Sequence, residues 1–167
     1  MQPLLEPSPP EGAVPSLPPD RQALLDSAGR LLRAARTGAL PPLLRGKRLA
    51  LIRGPGETEE PQDFSRAANE LGAHVAKIGS ALTPDSDPVE VQDTARLLGR
   101  LYDAVECQGL PPALVQQLAD AAGIPVYDGL ATPSHDSAQL APLLPGDELL
   151  SDKRRHVMQA MLLATIT

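Results

Sequence analysis

The sequence predicts an α/β protein in three layers, with a four-stranded parallel sheet flanked by helices. The main observation is that a short apolar run followed by a segment of helical apolar spacing recurs four times. This alternation is typical of right-handed βαβ units, in which helices cover both faces of a parallel sheet. The length of 167 residues allows one domain with a sizeable core, and the single cysteine, Cys107, allows no internal disulfide.

The first half of the domain begins with a helix. Apolar residues recur at helical spacing after Asp20, a good N-cap, and the helix is predicted to end at Gly38. The run RLALI (48–52) is short and apolar, which is typical of a buried parallel strand. A second helix is predicted over 62–71, with Gly72 as its stop.

The middle of the chain repeats the alternation. AHVAKI (73–78) is predicted as the second strand, and a loop separates it from a helix over 89–102 with an apolar stripe. DAVEC (103–107) is predicted as the third strand. Pro111 opens the next helix and Gly123 closes it, which is the usual placement of these two residue types.

The last part of the chain completes the sheet and adds a final helix. IPVYDG (124–129) is predicted as the fourth strand, and the segment after it as a loop that leads into a short helix. A linker over 145–150 follows. Ser151 is the expected N-cap of an amphipathic closing helix over 151–166.

The N-terminal segment differs in composition from the rest. Residues 1–19 contain seven prolines and almost no periodic apolar pattern, which predicts a disordered or extended tail. We therefore expect the folded domain over 20–167.

Composition argues against several classes of function. The net charge of −6 and the aromatic content of 2% argue against nucleic acid as a partner, because phosphates need cations and bases need stacking rings. No apolar run approaches the roughly 20 residues of a membrane span. The first residues have neither the basic nor the apolar region of a secretory signal, so a cytoplasmic location is expected.

The loops that follow the strands are the expected place of a binding site, since ligands of parallel sheets bind at the carboxyl ends of the strands. The first of these loops, 53–62, carries Glu57, Glu59 and Glu60 at a helix start, where an anion usually binds. The carboxylates would repel an anion, but their negative charge stabilises the start of a helix through its dipole. A solvated, well-capped helix start is therefore the main interpretation. A site for a cation or an amine is the alternative.

The other three loops contain few reactive groups. Asp85 and Asp87 lie in the loop 79–88, and Cys107 precedes the loop 107–111, where a small buried hydrophobe is the expected role. The loop 129–137 carries His135 with its neighbours Asp136 and Ser137, but adjacent residues do not by themselves form a catalytic triad. His74 and His156 are expected to be structural. No metal-binding or cofactor-binding motif is present, so neither ligand is expected.

Five blocks of the sequence are informative because they occur together in a fixed order. They are LLRGKRLALI, FSRAANELGAHVAKIGS, VQDTARLLGRLYDAV, LADAAGIPVYDGLATPSH and QLAPLL. In this order they resemble the N-terminal, carbamoyl-phosphate-binding half of the aspartate and ornithine carbamoyltransferases, and the final DKRRHVMQAMLLATI resembles the helix that closes those enzymes. The resemblance covers about residues 20–167 and implies the fold of that N-terminal domain.

The site residues depart from the pattern of the resembled family. Its phosphate loop has the form S-T-R-T-R. The corresponding positions here are Glu57, Thr58, Glu59, Glu60 and Pro61. Both arginines are therefore replaced, and Thr58 is the donor that remains.

Later loops continue this departure. The arginine expected after the third strand corresponds to Gln108. In the H-P-x-Q motif His135 matches, whereas Asp136 and Ala138 stand at the proline and glutamine positions. The resemblance thus implies a degenerate anion site. Each lost arginine removes a charge-assisted hydrogen bond worth roughly 1.5–3 kcal/mol.

These departures predict a non-catalytic, carbamoyltransferase-like subunit with a structural or regulatory role beside enzymes of pyrimidine or arginine synthesis. The resembled second half, which binds the amino acid, is missing, because APLLPGDELLSDK leads directly to the last helix. A homotrimer or a complex with a full-length carbamoyltransferase is expected. The surface left by the missing half is covered either by a partner or by the linker leucines Leu143, Leu144, Leu149 and Leu150.

Two alternatives remain open from the sequence. One is a small-ligand sensor, whose acidic pocket with His135 accepts a cationic or neutral ligand. The other is a residual carbamoyltransferase that acts only together with a partner chain.

Overall fold

The computed structural model describes residues 14–15, 20–55 and 62–166, and within them it confirms the predicted α/β class. The sheet has four parallel strands in the order β2-β1-β3-β4. The strands are β1 (Arg48–Arg53), β2 (His74–Gly79), β3 (Ala104–Gln108) and β4 (Val126–Asp128). The chain therefore places β1 and β3 at the centre, where both faces are buried.

Helices cover both faces of the sheet. They are α1 (Arg21–Arg36), α2 (Gln62–Glu70), α3 (Pro88–Leu101), α4 (Pro112–Ala122) and α5 (Leu150–Thr165), with a 3-10 helix over Asp136–Leu143 before α5. One hydrophobic core lies between the sheet and the layer of α1, α2, α5 and the 3-10 helix. A second core lies on the opposite face, beneath α3 and α4. This is the three-layer arrangement that the sequence predicts.

Most helix ends follow the local signals in the sequence. The Asp20 carboxylate accepts the Ala23 N–H at 2.9 Å and caps α1, and Gly123 ends α4 in the left-handed conformation, with φ of 70°. Gly99 inside α3 has a packing reason, since a Cβ there would collide with the carbonyl oxygen of Ala122 on α4. The two helices of this layer therefore approach each other at a point that admits only glycine.

The closing helix differs from the prediction in two respects. It begins at Leu150, with Leu149 as an N-cap residue that makes no side-chain capping bond, so the predicted cap at Ser151 is wrong. It is also not simply amphipathic, because seven consecutive residues from His156 to Leu162 are buried. The reason is tertiary: α5 packs between α1, α2 and the 3-10 helix and is enclosed on several sides.

The linker before α5 is held in place by polar contacts. The Lys153 ammonium donates to the carbonyl oxygens of Leu144 and Gly146, at 2.9 and 2.8 Å. Arg36 of α1 forms an ion pair with Glu148. The linker thus runs directly from the 3-10 helix to α5 along the surface of the domain.

Of the four linker leucines, Leu144 alone is buried. The exposed fractions of Leu143, Leu149 and Leu150 are 64%, 71% and 53%. Of the four, Leu144 therefore packs into the core, and whether the linker leucines or a partner cover the predicted surface stays a prediction.

The predicted tail falls mostly outside the described residues, so its disorder stays a prediction. Within it, Val14 packs against the core beneath α3 and α4. None of the helices over the described ranges is long and apolar enough to cross a membrane.

Candidate functional site

The carboxyl ends of the central strands bring three loops together. The Gly54 N–H donates to the Gln108 carbonyl oxygen at 2.8 Å, and the Gly129 N–H donates to the Cys107 carbonyl oxygen at 2.8 Å. A Cβ on Gly54 would collide with the carbonyl of Gly109, so the close approach requires glycine. The loops after β1, β3 and β4 therefore meet at one place, which we call the carboxyl end of the sheet.

The predicted anion-loop positions Glu57, Thr58, Glu59, Glu60 and Pro61 lie outside the described residues, and their roles stay predictions. The described chain ends next to them at Pro55 and resumes with α2 at Gln62. Pro55 follows β1 and Gln62 is the first residue of α2, so the described chain stops and resumes between these two elements.

His135 is held in a defined orientation at this end of the sheet. It is the N-cap residue of the 3-10 helix, and its Nδ1 accepts the Ser137 N–H at 3.1 Å. Nδ1 is therefore unprotonated, and in the neutral ring Nε2 carries the proton. Burial lowers the pKa of His135, against the opposing effects of Asp136 and Asp128. His135 thus offers a neutral N–H donor at neutral pH.

The neighbours of His135 do not form a hydrolytic triad. The Ser137 Oγ lies 2.8 Å from the His135 Nδ1, the same nitrogen that accepts the backbone N–H, and Ser137 is buried. This is a helix cap, in which the serine oxygen has no open path to a substrate. Ala138 follows in the first turn, with its N–H bonded to the His135 carbonyl, and its methyl side chain offers no polar group.

Gln108 lies at the end of β3 and is 2% exposed. Its amide makes no well-aligned hydrogen bond to a described residue, and it interacts with the Glu106 carboxyl two residues earlier. Cys107 between them points to the opposite face, into the core beneath α3 and α4, where burial raises the pKa of its thiol. The expectation that Cys107 is a small buried hydrophobe is confirmed.

Glu106 is the residue at this site that sequence reasoning missed. It is fully buried, and its two carboxyl oxygens accept the N–H groups of Leu130 and Ala131 at 2.9 and 3.0 Å. Burial raises the pKa of Glu106 to about 8, although these hydrogen bonds oppose the shift. The available signal was a carboxylate among the apolar residues of 104–107.

A second feature that the sequence did not indicate is a cavity of about 340 Å³ between the ends of β1 and β2. Arg53 and Lys77 line it, together with Gly54, Pro55 and the residues 78–80. The parallel pairing of Leu51 with Lys77 brings the lysine beside the end of β1. Basic side chains thus reach this end of the sheet from a strand rather than from the acidic loop.

The remaining candidates have structural roles in the described chain. Asp87 caps α3 by accepting the Val89 N–H at 2.9 Å, whereas Asp85 lies in the exposed turn before it. His74 starts β2 at the opposite end of the sheet, and His156 is buried in α5 with its Nδ1 2.7 Å from the Gln159 Oε1. Within residues 14–15, 20–55 and 62–166, no three histidine, cysteine, aspartate or glutamate side chains lie close enough together to hold a metal ion.

Comparison with known proteins shows that the chain is similar to part of the carbamoyltransferases. The chain is 38% identical over 121 residues to the ornithine carbamoyltransferase of Cutibacterium acnes, a match that covers 72% of this chain and 36% of that enzyme. The ornithine carbamoyltransferase of Pyrococcus furiosus superposes with a TM-score of 0.61 at 27% identity, over 73% of this chain and 39% of that one. No family model matches the chain.

The fold extends to aspartate carbamoyltransferases. The catalytic subunit of the M. jannaschii aspartate transcarbamoylase superposes with a TM-score of 0.62 over 79% of this chain and 45% of that subunit, at 19% identity. The chain therefore spans a little over a third of the curated relatives that it matches, and less than half of these solved chains.

Proposed function

We propose that this chain, which is homologous to part of the ornithine and aspartate carbamoyltransferases, is a non-catalytic subunit that assembles with a carbamoyltransferase or a related biosynthetic enzyme. Its role there is structural or regulatory. In this role the chain keeps the fold of its relatives and lacks the positive charge with which the resembled family binds a phosphate.

The observation that carries the proposal is the state of Gln108. The resemblance places an arginine at this position, at the end of a central strand. Here a neutral amide lies buried there, and it cannot supply the positive charge that a phosphoryl group needs. His135 remains as a donor, but a neutral imidazole gives an ordinary hydrogen bond and no net charge. Together with the predicted arginine losses at Glu59 and Pro61, this lowers the phosphate affinity by a factor of roughly 10⁴–10⁶.

The surface around the linker supports an assembly. Leu143, Leu149 and Leu150 are exposed within the segment 143–150, which contains the ordered linker. Exposed leucines in one region favour contact with another protein. A homotrimer or a mixed complex with a full-length carbamoyltransferase of the pyrimidine or arginine branch would bury them.

Native mass spectrometry tests the assembly. The protein is measured alone and after mixing with the full-length carbamoyltransferases of its host. A homotrimer or a mixed complex is the expected result, with no citrulline or ureidosuccinate formed by this chain alone. A strict monomer in both samples would refute the assembly, and product formation by the isolated chain would refute the non-catalytic role.

A variant that restores one positive charge tests whether the missing arginine accounts for weak phosphate binding. The variant Gln108→Arg should bind inorganic phosphate about 10- to 100-fold more tightly than the wild type, by one charge-assisted hydrogen bond, and should still form no product. Gln116→Arg is the matched control, because Gln116 is an exposed residue of α4 and the variant adds the same charge elsewhere. Equal phosphate affinities in both variants would contradict the proposed site.

A second candidate function, a small-ligand sensor, is favoured by the cavity beside the site. Its two basic side chains, Arg53 and Lys77, suit a small anionic ligand rather than the cationic one that the acidic loop predicts. A thermal-shift panel with carbamoyl phosphate, ornithine, arginine, nucleotides and divalent metals separates the two functions. An upward shift of several degrees with one compound supports sensing, and a flat panel with a mixed complex supports assembly.

A further inference from the structure

We propose that Glu106 is a positioning residue, which sets the orientation of the His135 imidazole by holding the backbone of residues 129–132. His135 is positioned in this way whether or not the chain assembles with another enzyme.

The first step is a clamp on two successive peptide groups. One carboxyl oxygen of Glu106 accepts the Leu130 N–H and the other accepts the Ala131 N–H, at 2.9 and 3.0 Å. The Gly129 N–H is bonded to the Cys107 carbonyl, so three consecutive N–H groups of the loop are held by β3. Since Glu106 is fully buried in the central sheet, its carboxyl is a rigid anchor.

The second step is a series of hydrogen bonds that connects the anchored residues to His135. The Gly129 carbonyl accepts both the N–H and the hydroxyl of Thr132, at 2.9 and 2.7 Å. The Thr132 carbonyl accepts the His135 N–H at 3.2 Å, and the imidazole is then fixed by the Ser137 N–H. Residues 130 and 131 lie within the turn that Gly129 and Thr132 close, so loosening them should loosen the segment that carries the His135 ring.

The groups that surround Glu106 permit a clean test. Gln108 lies two residues further along the same strand, Tyr127 pairs with Glu106 on β4, and the adjacent Cys107 and Asp128 lie on the other side of the two strands. Arg154 of α5 reaches the loop from outside and donates to the Ala131 carbonyl at 3.2 Å. Burial raises the pKa of both Cys107 and Tyr127, so neither group titrates near pH 8.

The first experiment uses the three histidines as probes. In Glu106→Gln the amide offers one acceptor oxygen and an NH₂ group, so one of the two backbone N–H groups loses its partner. By NMR we expect the His135 pKa to rise toward its ordinary value, while His74 and His156 titrate as in the wild type. Amide exchange at residues 130 and 131 should quicken by about two- to tenfold.

An unchanged His135 titration and unchanged exchange in the folded variant would overturn the proposal. Arg96→Gln, on an exposed residue of α3, is the control and should change none of these signals.

The wild type provides a second test that needs no variant to fold. The amide protons of Leu130 and Ala131 should shift as Glu106 ionises near pH 8, and the His135 ring signals should show an inflection at the same pH. If the amide protons shift and the ring signals do not, Glu106 stabilises the loop without positioning His135, and the proposal fails.

Discussion

Replacing Glu106 with glutamine should change how the stability of the protein depends on pH. The carboxyl is fully buried, and its pKa of about 8 in the folded protein lies well above the ordinary value of 4.5. The folded protein therefore holds a proton that the unfolded chain releases between pH 4.5 and pH 8. Because the folded state binds more protons in this range, the free energy of unfolding decreases as the pH rises.

The size of the effect follows from the shift in pKa. One unit corresponds to about 1.4 kcal/mol, so Glu106 lowers the free energy of unfolding by about 4–5 kcal/mol between pH 4.5 and pH 8. Domains of this size have a total stability of about 5–15 kcal/mol. A single buried carboxyl thus controls a large part of the stability at alkaline pH.

Urea unfolding of both proteins from pH 5 to pH 9 measures this effect. At pH 5 the Glu106→Gln variant should be less stable than the wild type by about 1–3 kcal/mol, because one backbone N–H is left without an acceptor. By pH 9 the order should reverse. Glu90→Gln, an exposed glutamate of α3, is the matched control and should follow the wild-type curve. A constant difference between Glu106→Gln and the wild type at every pH would refute the reasoning.

Three further predictions test the packing. Gly99→Ala should destabilise the protein by about 1–3 kcal/mol, because the added methyl collides with a backbone carbonyl of α4, whereas Gly29→Ala on α1 should stabilise it by up to about 1 kcal/mol, as measured by urea unfolding. Met161→Ala should cost about 2–5 kcal/mol in the same assay, since Met161 is fully buried, while Leu149→Ala at an exposed position should stay within about 0.5 kcal/mol. Cys107 should resist alkylation in the native protein and react after unfolding, because its thiol is 1% exposed and burial raises its pKa; rapid native labelling would contradict this burial.

The carbamoyltransferase relationship and the order of the elements could be predicted because they depend on local patterns. Apolar periodicity and glycine stops indicated every strand and helix, and the ends at Gly38 and Gly123 follow from residues that tolerate a left-handed backbone. The start of α5 could not be found in this way. The first turn there is fixed by backbone bonds to the Leu149 carbonyl and by the contacts of Lys153 with the linker, rather than by a capping side chain.

The positions of two predicted site residues can be compared with the structure, whereas their roles stay predictions. His135 and Gln108 were identified as site positions, and both lie at the carboxyl end of the sheet. The role of Glu106 was missed because its partners, Leu130 and Ala131, are 24 and 25 residues away in the sequence. The contribution of Lys77 was missed for the same kind of reason, since it reaches the end of β1 only through the pairing of the strands.

The sequence alone determined the α/β class, the number of strands and the loops that meet at the site, because these follow from apolar spacing and turn residues within short windows. The tertiary structure alone decided which polar groups are buried and what they bond. Burial and hydrogen bonding join segments that are distant along the chain, and the ionisation of Glu106 and the orientation of His135 depend on that environment rather than on the neighbouring residues.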